Sequence, residues 1–248
     1  MVAVFSSAAR IGTAGWSIPA PSRAAFPVSG SQLERYATRL NAAEINSSFY
    51  RPHRRSTYER WAASVPADFR FSVKLPKTIT HELRLVGGQE VMARFAGEIA
   101  GLGAKRGPIL VQLAPSLIFD ADVAAAFFTQ ASAMLGGTIV CEPRHASWFD
   151  AAADALLVAH RIARVAADPA KVPGAAQPGG WRGLHYTRLH GSPQMYRSEY
   201  DAAAIADHAT AARASPGESW TIYDNTTAGF ALANALELAR MLGISAQL

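Results

Sequence analysis

Apolar residues along this chain gather in eight short runs that close on polar or charged residues: 10–16, 43–48, 69–75, 108–113, 138–142, 164–168, 184–190 and 220–224. Nearly every run is followed by a stretch with helical spacing, at 32–40, 57–64, 89–102, 121–135, 151–161, 202–214 and 228–242. In the last of these Leu232, Ala235, Leu236, Ala239 and Leu242 form one apolar stripe. Strands alternating with helices imply parallel pairing, because each return to the same sheet edge needs a helix-sized crossover. Eight such units in 248 residues predict an α/β fold, a closed (β/α)8 barrel of the TIM type, as a single domain over 1–248. Residues 169–183 are rich in Pro and Gly and carry no helical period, so the sixth crossover helix is expected to be short or missing. Helix starts are marked by Ser31-Gln32-Leu33-Glu34 and Ser56-Thr57-Tyr58-Glu59, both with capping-box spacing.

Composition supports a large buried core. Half the residues are hydrophobic and 17% are charged, below the usual figure of about a quarter, as expected where strands are covered on both faces. The net charge is +5, and of 24 basic residues only Lys74, Lys77, Lys105 and Lys171 are lysines. A mildly basic surface favours anionic partners without establishing nucleic-acid binding. The single cysteine, Cys141, excludes an internal disulfide and suits a reducing compartment. By alternation it faces the helix layer as a packing thiol. The N-terminus has no basic segment followed by a long apolar one, and no apolar run approaches the roughly 20 residues that span a bilayer. The expectation is a soluble cytoplasmic protein with no membrane partner. Its arginine-for-lysine and alanine bias suggests a GC-rich bacterial gene.

In a barrel of this kind the site lies at the carboxyl ends of the strands. Side chains alternate along a strand, so residues two apart share a face. If Ile45, Phe71, Val73, Leu75, Val111 and Leu113 face the helices, then Glu44, Asn46, Ser48, Lys74 and Gln112 point inward. The same rule brings in Glu142, Asp168, the set Tyr186, Arg188 and His190, and Asp224. The result is a ring of Glu44, Lys74, Gln112, Glu142, Asp168, Arg188, His190 and Asp224. Burying so many ionisable groups costs free energy unless they pair or bind something. One reading is purely structural: Lys74 paired with Glu44, and Arg188 with Asp168 or Asp224.

The loops beyond the strands add cations and aromatics. Tyr50-Arg51-Pro52-His53-Arg54-Arg55 is expected to overhang the mouth, and His81 follows the third strand. Arg144-His145-Ala146-Ser147-Trp148 combines a guanidinium, an imidazole and an indole, a set suited to a phosphate or carboxylate on a planar or sugar-like ligand. His190-Gly191-Ser192 and Asn225-Thr226-Thr227-Ala228-Gly229 follow the seventh and eighth strands, where barrels often bind phosphate at a helix N-terminus.

Several of these segments resemble one known family. They are Gly12-Thr13-Ala14-Gly15-Trp16, Glu44-Ile45-Asn46-Ser47-Ser48-Phe49-Tyr50, Lys74-Leu75-Pro76-Lys77-Thr78-Ile79-Thr80-His81, Gln112-Leu113-Ala114-Pro115-Ser116, Glu142-Pro143-Arg144-His145-Ala146-Ser147-Trp148 and Arg188-Leu189-His190-Gly191. In this order they are similar to the YecE-like family, also called domain-of-unknown-function family seventy-two. The resemblance spans nearly the whole chain and implies a TIM-type barrel; it implies no particular activity. The chain departs from the family pattern at Ala114, where a second proline is usual, and at Asp224-Asn225, where two asparagines are usual.

Three functions compete. The first is an enzyme acting on an anionic, phosphate-containing substrate by hydrolysis or isomerisation. Its catalytic candidates are Glu44, Lys74, Glu142 and His190. Trp16, Asn46, Tyr50, His81, Gln112, Arg144, His145, Trp148, Arg188 and Asn225 are the substrate-binding candidates. A divalent metal is a candidate cofactor, with Glu142, Asp168 and Asp224 as candidate ligands, although no tight metal-binding spacing exists and the cations of the ring oppose it. The second is a non-catalytic binder of an anionic metabolite or of nucleic acid. The third is a lyase in which Lys74 forms a Schiff base.

Overall fold

The computed structural model describes residues 9–244. Residues 1–8, on which the expectation of no signal peptide rests, and 245–248 lie outside the described residues. The elements alternate: β1 (Ala9–Thr13), α1 (Gln32–Ala37), β2 (Ala42–Ile45), α2 (Arg55–Ala63), β3 (Arg70–Lys74), α3 (Gln89–Ile99), β4 (Arg106–Gln112), α4 (Ala121–Leu135), β5 (Ile139–Glu142) and α5 (Ala151–Ala159). Then follow β6 (Ala163–Arg164), β7 (Ala166–Asp168), β8 (Gly179–Gly180), β9 (Leu184–Leu189), α6 (Ala202–Arg213), β10 (Glu218–Tyr223) and α7 (Phe230–Met241). No helix among the described residues is long and apolar enough to cross a membrane.

The strands form two parallel arcs, β2-β3-β4-β5-β6 and β7-β9-β10-β1. The arcs meet at both ends. Ala14 bridges Glu44 in parallel, and the Gly15 amide donates to the Glu44 carbonyl at 2.8 Å. Gly12 permits this junction, since a Cβ there would run into the Ala42 carbonyl. At the other junction the predicted run 164–168 is one strand in two pieces. β6 pairs with β5 and β7 with β9, and the change of partner falls at Val165. Between β7 and β9 the described residues form a 3-10 turn over Pro173–Ala176 and the short β8, which runs antiparallel to β6. β8 was not foreseen; the glycine pair of β8 lies against Ile162 and Arg164, with Gly180 at φ +61°.

Helix starts follow the side chains that cap them. Ser31 and Glu34 form the expected reciprocal box at α1, and Asp120, Asp150 and Asp201 accept first-turn amides of α4, α5 and α6. The second expected box is absent: α2 begins at Arg55 with Arg54 uncapped, and Glu59 pairs with Arg55 at 2.9 Å instead. Two apolar layers result. The outer one lies between strands and helices and contains Ile45, Phe71, Val73, Val111, Leu113 and Cys141. The inner one fills the ring with Ala42, Leu110, Val140, Val165, Tyr186, Trp220 and Ile222. Trp220 reaches across to Gly107, where a Cβ would come within 2.6 Å of the indole.

Candidate functional site

Above this inner layer the strand ends carry charge. Arg188, on β9, is at the centre and has no exposed side-chain surface. Its Nε and Nη2 donate to the two oxygens of Glu44 at 3.1 and 2.8 Å. Nη1 donates to Glu142 Oε2 at 2.8 Å, and Nη2 also to Asp224 Oδ2 at 3.0 Å. A planar guanidinium carries five donors in a fixed fork, enough to serve three carboxylates at once. Burial alone would discharge it, but the three carboxylates outweigh that and raise its pKa further above the arginine value.

The carboxylates have other partners as well. Arg144 Nη2 lies 2.8 Å from Glu142 Oε1, and Gln112 Nε2 donates to Glu142 Oε2 at 2.9 Å. Tyr186 Oη lies 2.9 Å from Glu44 Oε2 and 2.8 Å from Ser72 Oγ. His190 stands between two acids, Nδ1 at 3.0 Å from Asp224 Oδ2 and Nε2 at 3.0 Å from Glu142 Oε1, which fixes its ring plane. Burial would raise the carboxyls of Glu142 and Asp224. The cations around them, led by Arg188, prevail, so Glu142 is held well below the usual carboxylate range and Asp224 is lowered.

Lys74 breaks the pattern. Alternation predicted it inward, and it is buried, yet its ammonium makes no hydrogen bond or ion pair among the described residues. The expected Lys74–Glu44 pair does not form because Arg188 occupies both oxygens of Glu44. The Lys74 ammonium instead sits 4.1 Å from the centroid of the Phe49 ring. Burial first, then the Arg188 charge, pull its pKa down to about 8, against the opposing pull of Glu44, Glu142 and Asp224.

The residues above the sealed cluster are partly exposed: Asn46, His81, Gln112 and Arg144 are half-buried, and Tyr196 is 38% exposed. His81 packs edge-on to the same Phe49 ring, with ring centroids 5.1 Å apart, and its Nδ1 is 2.8 Å from Thr80 Oγ1. Burial, then the charges of Lys74 and Arg144, lower its pKa, so it is a neutral imidazole near pH 7. Asn46 Oδ1 and Arg144 Nε are buried without a hydrogen-bond partner among the described residues. Tyr196, in the loop after β9, lies edge-on to His190 with ring centroids 5.6 Å apart and adopts φ +67°, a conformation uncommon for a non-glycine residue.

Several sequence expectations are corrected. Asp168 is not in the ring. Ala163 and Val165 face inward, so two-residue alternation turns Asp168 out, where Tyr200 Oη donates to its carboxylate at 2.6 Å. Arg188 therefore pairs with Asp224 and not with Asp168. Trp148 is buried in the outer layer, its indole donating to the Leu117 carbonyl at 3.0 Å and packed on Phe119. Trp16 is half-buried and packs edge-on to Trp61 and Phe71. Tyr50 is exposed and packs edge-on to Phe49, and with Arg51 and Pro52 it lines a small cavity shared with Arg94 and Glu98 of α3. His145 caps the turn Ala146–Phe149. Asn225 is fully buried and ties the Ser198 carbonyl to Asn234. The amides of Gly191, Thr227 and Gly229 donate to the Tyr200 hydroxyl and to the Tyr196 and Thr226 carbonyls.

The candidate metal ligands do not fit a metal. Glu142, Asp168 and Asp224 do not converge, and the first and last aim their oxygens at Arg188, Arg144 and His190. Among the described residues no group of three His, Cys, Asp or Glu side chains could hold an ion. Phe49, Ser72, Tyr186 and Tyr196 were not among the expected site residues. Alternation had already put Tyr186 on the inner face; no spacing signal marks Tyr196.

Residues 10–248 match the family model described as "Protein of unknown function DUF72". A curated relative, the UPF0759 protein YecE of Escherichia coli K12, is 30% identical over 103 residues. That match covers 42% of this chain and 36% of the relative, so the chain spans about a third of the relative's length. Among solved structures, a DUF72 family protein of Enterococcus faecalis V583 superposes with a TM-score of 0.80 at 21% identity, over 96% of this chain and 97% of the other. One of Thermotoga maritima MSB8 gives 0.78 at 22% identity, over 95% and 99%. At these identities the likeness concerns the fold.

Proposed function

This chain belongs to the DUF72 family, and on that premise we propose that it is an enzyme that binds a small phosphate- or carboxylate-bearing substrate at the carboxyl mouth of a TIM-type (β/α)8 barrel whose sixth unit lacks a full helix. One observation carries the reading. All three carboxylates of the mouth are bonded to Arg188, while the ammonium of Lys74 has no anionic partner among the described residues. A buried cation without a counter-ion is costly, and a ligand anion would offset that cost. Arg144, with its Nε unbonded, is the second donor for such an anion, and Gln112 and Asn46 supply neutral hydrogen bonds. The sealed residues act indirectly: Glu44, Glu142, Asp224 and His190 hold Arg188 and Arg144 rigid. Of the catalytic residues named from sequence, Lys74 alone would touch the substrate, with His81 as the neutral acid–base group beside it.

Titration calorimetry with inorganic phosphate and with glycolate tests the binding step. Arg144→Ala should weaken the anion by on the order of tenfold or more, the loss of one charged hydrogen bond. Wild-type affinity should fall as pH rises through about 8, where Lys74 loses its charge. Absence of binding, or equal binding by both proteins at all pH values, would refute the site. NMR time courses with bound phosphorylated carbonyl compounds test turnover; an unchanged spectrum for every bound compound would leave a binding protein.

A further inference from the structure

We infer that Lys74 is a nucleophile that forms a Schiff base with the carbonyl carbon of an anionic aldehyde or ketone. This rests on the anion site proposed above and names its substrate class. The inference starts from a choice the cluster makes. Three carboxylates lie in the same layer as Lys74, yet their oxygens are bonded to Arg188, Arg144 and His190 at 2.8 to 3.1 Å. A lysine kept only to balance charge would pair with one of them. Lys74 is instead held against the apolar face of Phe49, and the cation closest to it in effect is Arg188. Desolvation and a neighbouring cation are the two means by which a lysine amine is made available as a nucleophile. With its pKa near 8, about 10% of Lys74 is neutral at pH 7, against about 0.03% for an ordinary lysine.

The step needs no oxidant or reductant. The neutral Nζ lone pair forms the N–C bond and the carbonyl π pair moves to oxygen. That oxygen takes protons and leaves as water, and the C=N bond remains on Lys74. His81 is set to move those protons: it packs on the same Phe49 ring, feels the Lys74 charge, and its Nε2 makes no hydrogen bond among the described residues. Arg144 would hold the phosphate or carboxylate of the substrate within range of the Lys74 charge, leaving the carbonyl carbon against Nζ.

Borohydride trapping tests this on the full chain. Glyoxylate, pyruvate and glycolaldehyde phosphate would each be incubated with the protein, with neutral glycolaldehyde as the comparison, then reduced and mapped by peptide mass spectrometry. Lys77, Lys105 and Lys171 serve as internal controls, since the chain has four lysines. The expected result is one adduct, on Lys74, formed at least about tenfold faster than on the other three and faster with the anionic carbonyls than with glycolaldehyde. Inorganic phosphate should slow it. Lys74→Arg should abolish the adduct with the thermal melt retained, and Lys74→Met is the alternative if it does not fold. Labelling spread evenly over the four lysines, or no adduct while phosphate binds in calorimetry, would overturn the Schiff base and leave the anion site standing. No adduct and no phosphate binding would overturn both.

Discussion

Arg188→Met removes the centre of the charged layer and leaves its volume largely filled. The cost follows from what each carboxylate keeps. Glu142 retains Arg144 at 2.8 Å and Asp224 retains His190 at 3.0 Å, whereas Glu44 keeps only the Tyr186 hydroxyl at 2.9 Å. The loss is therefore centred on Glu44, which has no solvent exposure and regains a cation only if Lys74 leaves its place over the Phe49 ring. Stranding one buried charge of this kind costs about 3–5 kcal/mol, which for a chain of this size lowers the melting temperature by roughly 10 °C. The wild-type linkage has a definite sign. Glu142 and Asp224 are depressed in the folded state, so their contribution is present above the ordinary values of 4.5 and 3.8 and is lost as pH falls below them. In the variant a buried, unpaired carboxylate takes up a proton on folding, so the penalty should be largest at pH 8 and shrink toward pH 5. Urea unfolding of both proteins at the two pH values measures this. Adding Glu44→Gln to the variant should restore most of the loss at pH 8, since no charge is then stranded. A loss below about 1 kcal/mol at pH 8, a penalty independent of pH, or no rescue by Glu44→Gln would refute the account.

Trp148→Phe should destabilise the protein by about 1 kcal/mol or somewhat more, from the lost bond to Leu117 and a small cavity, with phosphate affinity unchanged; weakened phosphate binding in calorimetry would show that the indole reaches the ligand. Gly12→Ala should be far more damaging than its size suggests, because the new Cβ meets the Ala42 carbonyl, a backbone atom held in β2 where the two sheet arcs close. A thermal melt within about 2 °C of wild type would mean the junction has slack.

Two-residue alternation was enough to put Glu44, Lys74, Gln112, Glu142, Arg188, His190 and Asp224 on one face, because most of their strands carry a large apolar neighbour that faces the helices, such as Ile45, Val73, Val111, Leu189 and Tyr223. It failed at Asp168 because the run Arg164-Val165-Ala166-Ala167-Asp168 offers two alanines and a strand that changes partners at Val165, so composition carries no parity there. The aromatics Trp16 and Trp148 could not be assigned for a related reason: an indole suits a ligand platform and a helix–strand core equally, and only neighbours such as Trp61, Phe71 and Phe119 decide between them.

What the sequence alone determined was local: the order of strands and helices, the cap at Ser31, and the inward face of each clear strand. These depend on periodicity and on hydrogen bonds a few residues long. What tertiary structure decided was the pairing. Glu44 and Arg188 are 144 residues apart and meet only because the two arcs close into a ring. Once they meet, the guanidinium's fork geometry outcompetes a flexible ammonium for the same oxygens. That competition gives the carboxylates to Arg188 and leaves Lys74, which one reading of the sequence paired with Glu44, as a cation over the Phe49 ring.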